Sequence, residues 1–149
     1  MLDIYVDGDA CPVKDEVVRV AERHGLNVYI VSNSWLRPIN NPKIKMILVE
    51  AGPDVADDWI AERAKDGDIV ITADILLADR CLKSDARVLA PTGKPFTQDN
   101  IGNAVAGRSL SAHLRELGEV SGNNPSFSKK DRSRFLQTLE ENIQAVKRS

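Results

Sequence analysis

Short apolar runs alternate with longer amphipathic stretches along this chain of 149 residues. The runs are rich in β-branched residues, which is typical of strands buried on both faces. They predict strands at residues 4–6, 28–31, 46–49, 69–71 and 87–89, and the stretches between and after them predict helices over 12–24, 53–66, 75–84 and 98–117. Strands that alternate with helices form βαβ units. The pattern therefore predicts a three-layer α/β/α sandwich with a mostly parallel central sheet.

Local signals place the ends of several elements. Pro12 suits the first position of a helix and Gly25 suits the position just past its end. Ser128 is a typical N-cap, and a stripe at helical spacing follows it, formed by Phe135, Leu139, Ile143 and Val146. Clusters of Asn, Pro and Gly predict loops at 32–43 and 118–127. With no repeat or linker, residues 1–149 are expected to form a single domain with a C-terminal amphipathic helix at about 128–147.

Composition narrows the protein class. A hydrophobic fraction of 42% excludes a disordered chain, and 16.4 kDa is enough for one packed core. No window approaches the ~20 apolar residues of a membrane span, and the acid at Asp3 is unlike a secretory signal. Cys11 and Cys81 match neither a disulfide framework nor a zinc site, so we expect them to be small buried side chains in a protein of the reducing cytosol.

Charge is unevenly distributed along the chain. The net charge is −2, but residues 128–149 carry six Lys and Arg against three acids, a net of +3 that leaves −5 for the rest. An acidic centre beside a basic flank suits metal-dependent chemistry on a phosphate polymer. Ordinary solvated helices produce the same asymmetry and are the alternative explanation.

Acidic residues follow three of the predicted strands. Asp7 and Asp9 follow the first, Asp54, Asp57 and Asp58 follow the third, and Asp74 follows the fourth. Because the carboxyl ends of parallel strands meet at one edge of a sheet, we expect these carboxylates to lie close together. Grouped carboxylates repel one another and raise each other's pKa, and a divalent cation removes that penalty. An oxygen-only ligand set favours Mg²⁺ or Mn²⁺.

Each acid also has a purely structural explanation. Asp54, Asp57 and Asp58, taken alone, are better explained by the favourable electrostatics of a helix start. Asp79 is best explained as part of a solvated helix face. For Asp7, Asp9 and Asp74 together the metal site is the better explanation, because independent strand ends carry them and no basic residue is adjacent in the sequence.

Several motifs resemble a known family. They are Asp7-x-Asp9-Ala10-Cys11-Pro12, Gly52-x-Asp54-x-Ala56-Asp57, Ile71-Thr72-x-Asp74 with Leu77-Ala78, Asn100-Ile101 and Arg108. From residue 2 to about 140 the chain resembles the YaiI/YqxD family of small bacterial proteins, which is similar to PIN/NYN-type nuclease domains. The resemblance implies an α/β/α sandwich with an acidic metal cluster formed by Asp7, Asp9, Asp54, Asp57 and Asp74. The chain departs from it at Leu76, where Pro is frequent, and at Thr92-Gly93 before Phe96, where Arg-Gly is frequent.

The leading functional hypothesis is a Mg²⁺- or Mn²⁺-dependent nuclease, with RNA favoured over DNA as its substrate and DNA kept as an alternative. Asp7, Asp9 and Asp74 would be the catalytic acids, with Asp54 or Asp57 completing the metal shell. Phosphates would be contacted by basic residues from several segments, namely Lys14, Arg37, Arg108, Lys129, Lys130 and Arg132.

Two other hypotheses remain open. A phosphatase of the haloacid dehalogenase type would use Asp7 as nucleophile and Asp9 as acid/base, with Ser32 and the Asp74-x4-Asp79 spacing completing its motifs. Against it, the helix predicted from Pro12 leaves no room for the flap such enzymes insert after the first strand. The third hypothesis is a non-catalytic module that binds RNA or a protein.

Overall fold

The computed structural model describes residues 2–8, 11–33, 39, 41–50, 55–98, 101 and 128–148. Its strands are β1 Asp3–Asp7, β2 Asn27–Ser32, β3 Ile44–Leu48, β4 Ile69–Ile71, β5 Arg87–Leu89 and β6 Pro95–Phe96, and its helices are α1 Lys14–His24, α2 Val55–Arg63, α3 Ile75–Lys83 and α4 Lys129–Arg148. All five predicted strands are confirmed, as are the helices predicted near 12–24, 53–66, 75–84 and 128–147. The helix predicted over 98–117 lies almost wholly outside the described residues, and the loop predicted at 118–127 lies wholly outside them. β6 was not predicted.

The strands form one sheet in the order β3-β2-β1-β4-β5-β6. β1 to β5 are parallel, and β6 pairs antiparallel with β5. Apolar side chains alternate between the two faces of the sheet. Ile4 and Val6 of β1 pack in the cluster that contains α1 and α4, whereas Tyr5 packs in the cluster that contains α2 and α3. The predicted α/β/α sandwich with a mostly parallel sheet is confirmed.

Two predicted helix boundaries are confirmed in detail. Gly25 ends α1 in the left-handed region with φ 67°, where glycine carries no steric penalty. Before α4, the Asp131 N–H donates to the Ser128 hydroxyl and the Ser128 N–H donates to the Asp131 carboxylate, both at 3.1 Å. This reciprocal pair satisfies donors that the helix itself leaves unpaired. Of the helices described, none is long and apolar enough to cross a membrane.

Helix α4 packs beside α1 on one face of the sheet. Its predicted stripe is confirmed at Phe135, Leu139 and Ile143, which are fully buried. An ion pair joins the starts of the two helices, where Arg132 Nε lies 3.1 Å from Glu16 Oε1. A hydrogen bond joins the end of α1 to the middle of α4, where His24 Nε2 lies 2.9 Å from Glu140 Oε1. The two helices therefore run in the same direction, and α4 begins near the sheet edge at which α1 begins.

Candidate functional site

The order of the strands reverses between β1 and β4. The chain moves outward from β1 through β2 to β3, then returns to the other side of β1 with β4 and β5. The intervening helices leave in different directions, because α1 packs on one face of the sheet and α2 and α3 pack on the other. In open parallel sheets, ligands bind outside the carboxyl ends of the strands at such a switch point. β1 ends at Asp7 and β4 ends at Ile71, so Asp7 and Asp74 lie near that position.

A threonine hydroxyl fixes the carboxylate of Asp7. Val6 pairs with Ile71 in the parallel ladder, so the next residues, Asp7 and Thr72, are neighbours. The hydroxyl of Thr72, a residue only 1% exposed, donates to Asp7 Oδ2 at 3.0 Å. Asp7 itself is half-buried. Strand register thus orients one candidate ligand through a neutral donor.

The same hydroxyl also contacts the backbone of Asp74. The Asp74 N–H donates to Thr72 Oγ1 at 2.9 Å. Asp74 is the N-cap of α3, and its Oδ1 accepts from the N–H groups of Leu76 and Leu77 at 2.9 and 3.2 Å. Among the residues that the structure describes, no cation lies within ion-pair distance of Asp74 and no donor contacts its Oδ2. Thr72 therefore links the two acids, one through its side chain and the other through its backbone.

Lys14 contributes a cation to the same region. Its Nζ donates to the carbonyl of Gly8, which directly follows β1, at 3.1 Å. The Gly8 N–H donates to the Val31 carbonyl at 2.7 Å, so the main chain here is held on both sides. The interval between β1 and α1 comprises only residues 8–13. This short connection agrees with the expectation that no flap domain is inserted there.

The acids in the first turn of α2 face α3. Asp58 Oδ1 lies 2.8 Å from Arg80 Nη1, and this hydrogen bond, with the charges of Asp58 and Asp57, raises the pKa of the Arg80 guanidinium. Further along α3, Asp79 pairs with Lys83 at 3.1 Å. The charge of Asp58 is therefore balanced by Arg80 at the contact between α2 and α3, which is a different explanation from the helix-start electrostatics expected for this residue.

The described part of the ligand set comprises two acidic residues that Thr72 connects through the carboxylate of Asp7 and the backbone N–H of Asp74. Among the described residues, no group of three or more His, Cys, Asp or Glu side chains is arranged to hold a metal ion. Asp7 and Asp74 come together through Thr72, and Asp57 does not join them in such a group. Asp9 and Asp54 lie outside the described residues, so a complete ligand set would have to include at least one of them.

The predicted phosphate-contacting residues fall into separate groups. Lys129 and Lys130 are exposed at the start of α4, whereas Arg132 forms the ion pair with Glu16. Arg37 and Arg108 lie outside the described residues. Nucleophilic catalysis by cysteine loses support, because both cysteines are buried and burial raises the pKa of the Cys11 thiol and raises that of the Cys81 thiol to about 12.

Sequence reasoning assigned no role to two residues that shape this region. Thr72 belongs to the Ile71-Thr72-x-Asp74 motif, but its contact with Asp7 depends on the pairing of β1 with β4, which no sequence signal provides. Glu16 is 93% buried at 7% exposure, and the apolar run Val17-Val18 that follows it in the sequence was the available signal. Its partner Arg132 is too distant in the sequence for any spacing rule to connect them.

Known proteins match this chain over almost its full length. A family model described as "Uncharacterized BCR, YaiI/YqxD family" matches residues 5–145. A "UPF0178 protein" of Parvibaculum lavamentivorans is 62% identical over 99% of this chain and 97% of its own length. Similar proteins of Rhizobium meliloti and Caulobacter vibrioides are 59% and 53% identical, over 97% and 98% of this chain and 99% and 95% of their own lengths. No solved structure matches.

Proposed function

This chain belongs to the YaiI/YqxD family, and we propose that it is a Mg²⁺- or Mn²⁺-dependent nuclease that acts on RNA. The observation that carries the proposal is the linkage of Asp7 and Asp74 through Thr72 at the switch point of the sheet. The Asp7 carboxylate accepts from the Thr72 hydroxyl and the Asp74 carboxylate accepts from two backbone N–H groups. Two carboxylates that come from different strand ends suit a hard divalent cation. The basic start of α4 near the same edge suits a phosphate polymer.

The donor chemistry fits the proposed metal. Asp7 and Asp74 would hold it, and Asp9, with Asp54 or Asp57, would complete the shell and orient water. A bound Mg²⁺ or Mn²⁺ polarises a phosphoryl oxygen and activates water. Thr72 keeps Asp7 Oδ2 directed by its hydrogen bond, and the helix cap keeps Asp74 Oδ1 directed toward the first turn of α3. Lys14, beside the β1–α1 turn, would contact a phosphate of the bound strand.

The test compares cleavage of mixed-sequence labelled single-stranded RNA in Mn²⁺ by wild type and Asp74→Asn. Asn caps helices about as well as Asp, so this change removes the charge while it keeps α3 capped. We expect cleavage to fall about a hundredfold or more, or ~2.7 kcal/mol of barrier at 1.36 kcal/mol per factor of ten. Retained cleavage by Asp74→Asn would remove Asp74 from the mechanism.

Asp79→Asn is the matched control, because it makes the same charge change further along the same helix. Asp79 pairs with Lys83, so the nuclease proposal predicts nearly unchanged cleavage. Loss of hydrolysis in this variant, with trapping of a fluoroberyllate adduct on Asp7, would instead support the phosphatase. RNA binding that persists in EDTA, with no cleavage by any variant, would support a non-catalytic module.

A further inference from the structure

We propose that the start of α4 forms a phosphate-binding cleft that determines the side of the molecule over which the nucleic-acid strand leaves the switch point. The cleft, here called the α4 cleft, is a shallow depression of about 470 Å³ that is largely open to solvent, and it is lined by Lys129, Lys130, Ser133, Arg134 and Gln137. This inference rests on the proposed function, because it identifies where the polymer bound at Asp7 and Asp74 continues.

Packing places the α4 cleft near the same edge as the acids. The Glu16–Arg132 ion pair joins the first turn of α1 to the first turn of α4. α1 in turn begins directly after the short connection that follows β1, and its first residue, Lys14, donates to the Gly8 carbonyl in that connection. Because Phe135 and Leu139 anchor α4 in the core, the cleft is held on a rigid element. The start of α4, which carries Lys129 and Lys130, therefore lies beside the start of α1.

The charges of the α4 cleft suit phosphates. Residues 128–137 contain four cations and one acid, Asp131. With the carboxylates that the structure describes, neither Lys129 nor Lys130 forms an ion pair, and the Arg134–Asp131 pair is long at 3.7 Å. Ser133 and Gln137 add neutral hydrogen-bonding groups to the lining. Such a surface binds a phosphate backbone without reading bases.

The opposite side of the switch point is less suitable for a polyanion. α2 carries Asp57, Asp58 and Glu62 against the single cation Arg63. On α3, the cations are paired with acids, Arg80 with Asp58 and Lys83 with Asp79. A phosphate backbone would therefore be repelled from the α2–α3 side and attracted to the α1–α4 side. This asymmetry is the reason for assigning the strand to the α4 cleft.

The test measures binding of a fluorescent 15-nucleotide oligouridine RNA with a phosphorothioate backbone, in Mg²⁺, by fluorescence anisotropy. The variant Lys129→Glu/Lys130→Glu should bind about tenfold or more weakly. The slope of log affinity against log salt should fall by about 1.4, since each single-strand phosphate contact contributes ~0.7. Lys129→Arg/Lys130→Arg should retain wild-type affinity, because the phosphate contacts need cations at these positions.

The matched control is Lys65→Glu/Arg148→Glu. It makes the same change in net charge at two exposed cations outside the α4 cleft. Lys65 follows α2, and Arg148 lies at the far end of α4, about 28 Å from Lys129 at ~1.5 Å per residue. It should bind almost as wild type does. Equal weakening by both double variants would overturn the α4 cleft and leave the nuclease proposal standing, provided that RNA is still cleaved. Absence of RNA binding by wild type would overturn both.

Discussion

Glu16 in α1 and Asp74 at the start of α3 both lie near the carboxyl edge of the sheet, yet their carboxylates have different partners. Glu16 is 7% exposed and meets the guanidinium of Arg132 at 3.1 Å. Asp74 is half-buried and accepts hydrogen bonds from two backbone N–H groups. A cation balances the charge of the first carboxylate, whereas neutral donors orient the second and leave its charge in place.

This difference indicates that the two carboxylates have different roles, with Glu16 contributing to stability and Asp74 to the proposed chemistry. Where two helices pack, a buried charge without a partner would be costly, so the contact includes the opposite charge. At the switch point, a retained negative charge is what a divalent cation requires. We therefore expect changes on the α1–α4 side to alter the free energy of unfolding, and changes at Thr72 and Asp74 to alter activity.

The largest expected effect is on the α1–α4 side, at Gly93. Gly93 has φ 89°, and a Cβ built there would lie 2.6 Å from the backbone nitrogen of Phe135. Gly93→Ala should therefore lower the free energy of unfolding by about 3 kcal/mol, from backbone strain together with displacement of α4. Urea denaturation followed by circular dichroism measures this.

Gly67 supplies a control with the same backbone conformation. Its φ is also 89°, but the nearest atom to an added Cβ would be Val146 Cγ1 at 3.9 Å, an ordinary contact. Gly67→Ala should cost only the strain of positive φ, about 1 kcal/mol. If the two variants lost equal stability, close approach to α4 would not be the reason for glycine at position 93.

Gly93 also illustrates what the sequence could and could not predict. Thr92-Gly93 was recognised as a departure from the family pattern, but only the fold reveals that the α4 backbone passes beside it. The five parallel strands were predictable because each contains a short run of apolar residues. β6 was missed because Pro95–Phe96 has only two residues, too few for a periodic signal.

The candidate site was predictable to a similar degree. That Asp7 and Asp74 share an edge follows from the rule for parallel strands, which needs only the strand assignment. The Thr72 hydrogen bond depends on the pairing of Val6 with Ile71, and register between distant strands cannot be read from local periodicity. The same limit applies to Glu16 and Arg132, whose contact exists only after α1 and α4 have packed.

After the loss expected for Asp74→Asn, the next largest effect on cleavage is expected at Thr72. Thr72→Val keeps the shape of the side chain and removes the hydroxyl that contacts Asp7 and Asp74. Misdirection of Asp7 should lower metal-dependent cleavage about tenfold, or ~1.4 kcal/mol of barrier. Thr72→Ser restores the hydroxyl and should restore cleavage. A loss of equal size in both variants would assign Thr72 to packing alone.

A smaller effect separates Glu16 from Asp74 directly. Glu16→Gln removes the charge opposite Arg132, and because the Arg132 side chain is 50% exposed, water can solvate it. The free energy of unfolding should therefore fall by only about 1 kcal/mol, with cleavage nearly unchanged. Asp74→Asn should show the reverse, because Asn preserves the helix cap. Urea titrations and cleavage assays on both variants measure stability and activity. Loss of cleavage in Glu16→Gln with RNA binding intact would contradict a purely structural role for Glu16.

The smallest effect is expected at the other end of the α1–α4 contact, at Glu140. The hydrogen bond from His24, and then that from Gln144, lowers the pKa of the Glu140 carboxyl below its usual value. Near pH 4 the unfolded chain then binds more protons than the folded chain, so stability rises with pH there. The contribution is present above the unfolded pKa of about 4.3 and is lost as pH falls through the folded value.

Urea denaturation between pH 3 and 6 measures this contribution. Glu140→Gln should lower the free energy of unfolding by less than about 1 kcal/mol at pH 6, since its side chain is 34% exposed and solvent screens the pair. At pH 3 the difference from wild type should nearly vanish. The control Glu141→Gln removes an exposed acid from the same helix and should change with pH much less. If the loss in free energy of unfolding caused by Glu140→Gln stayed constant across this range, the contact with His24 would not depend on charge. The apolar stripe of α4 and the Glu16–Arg132 pair would then hold α4 beside α1.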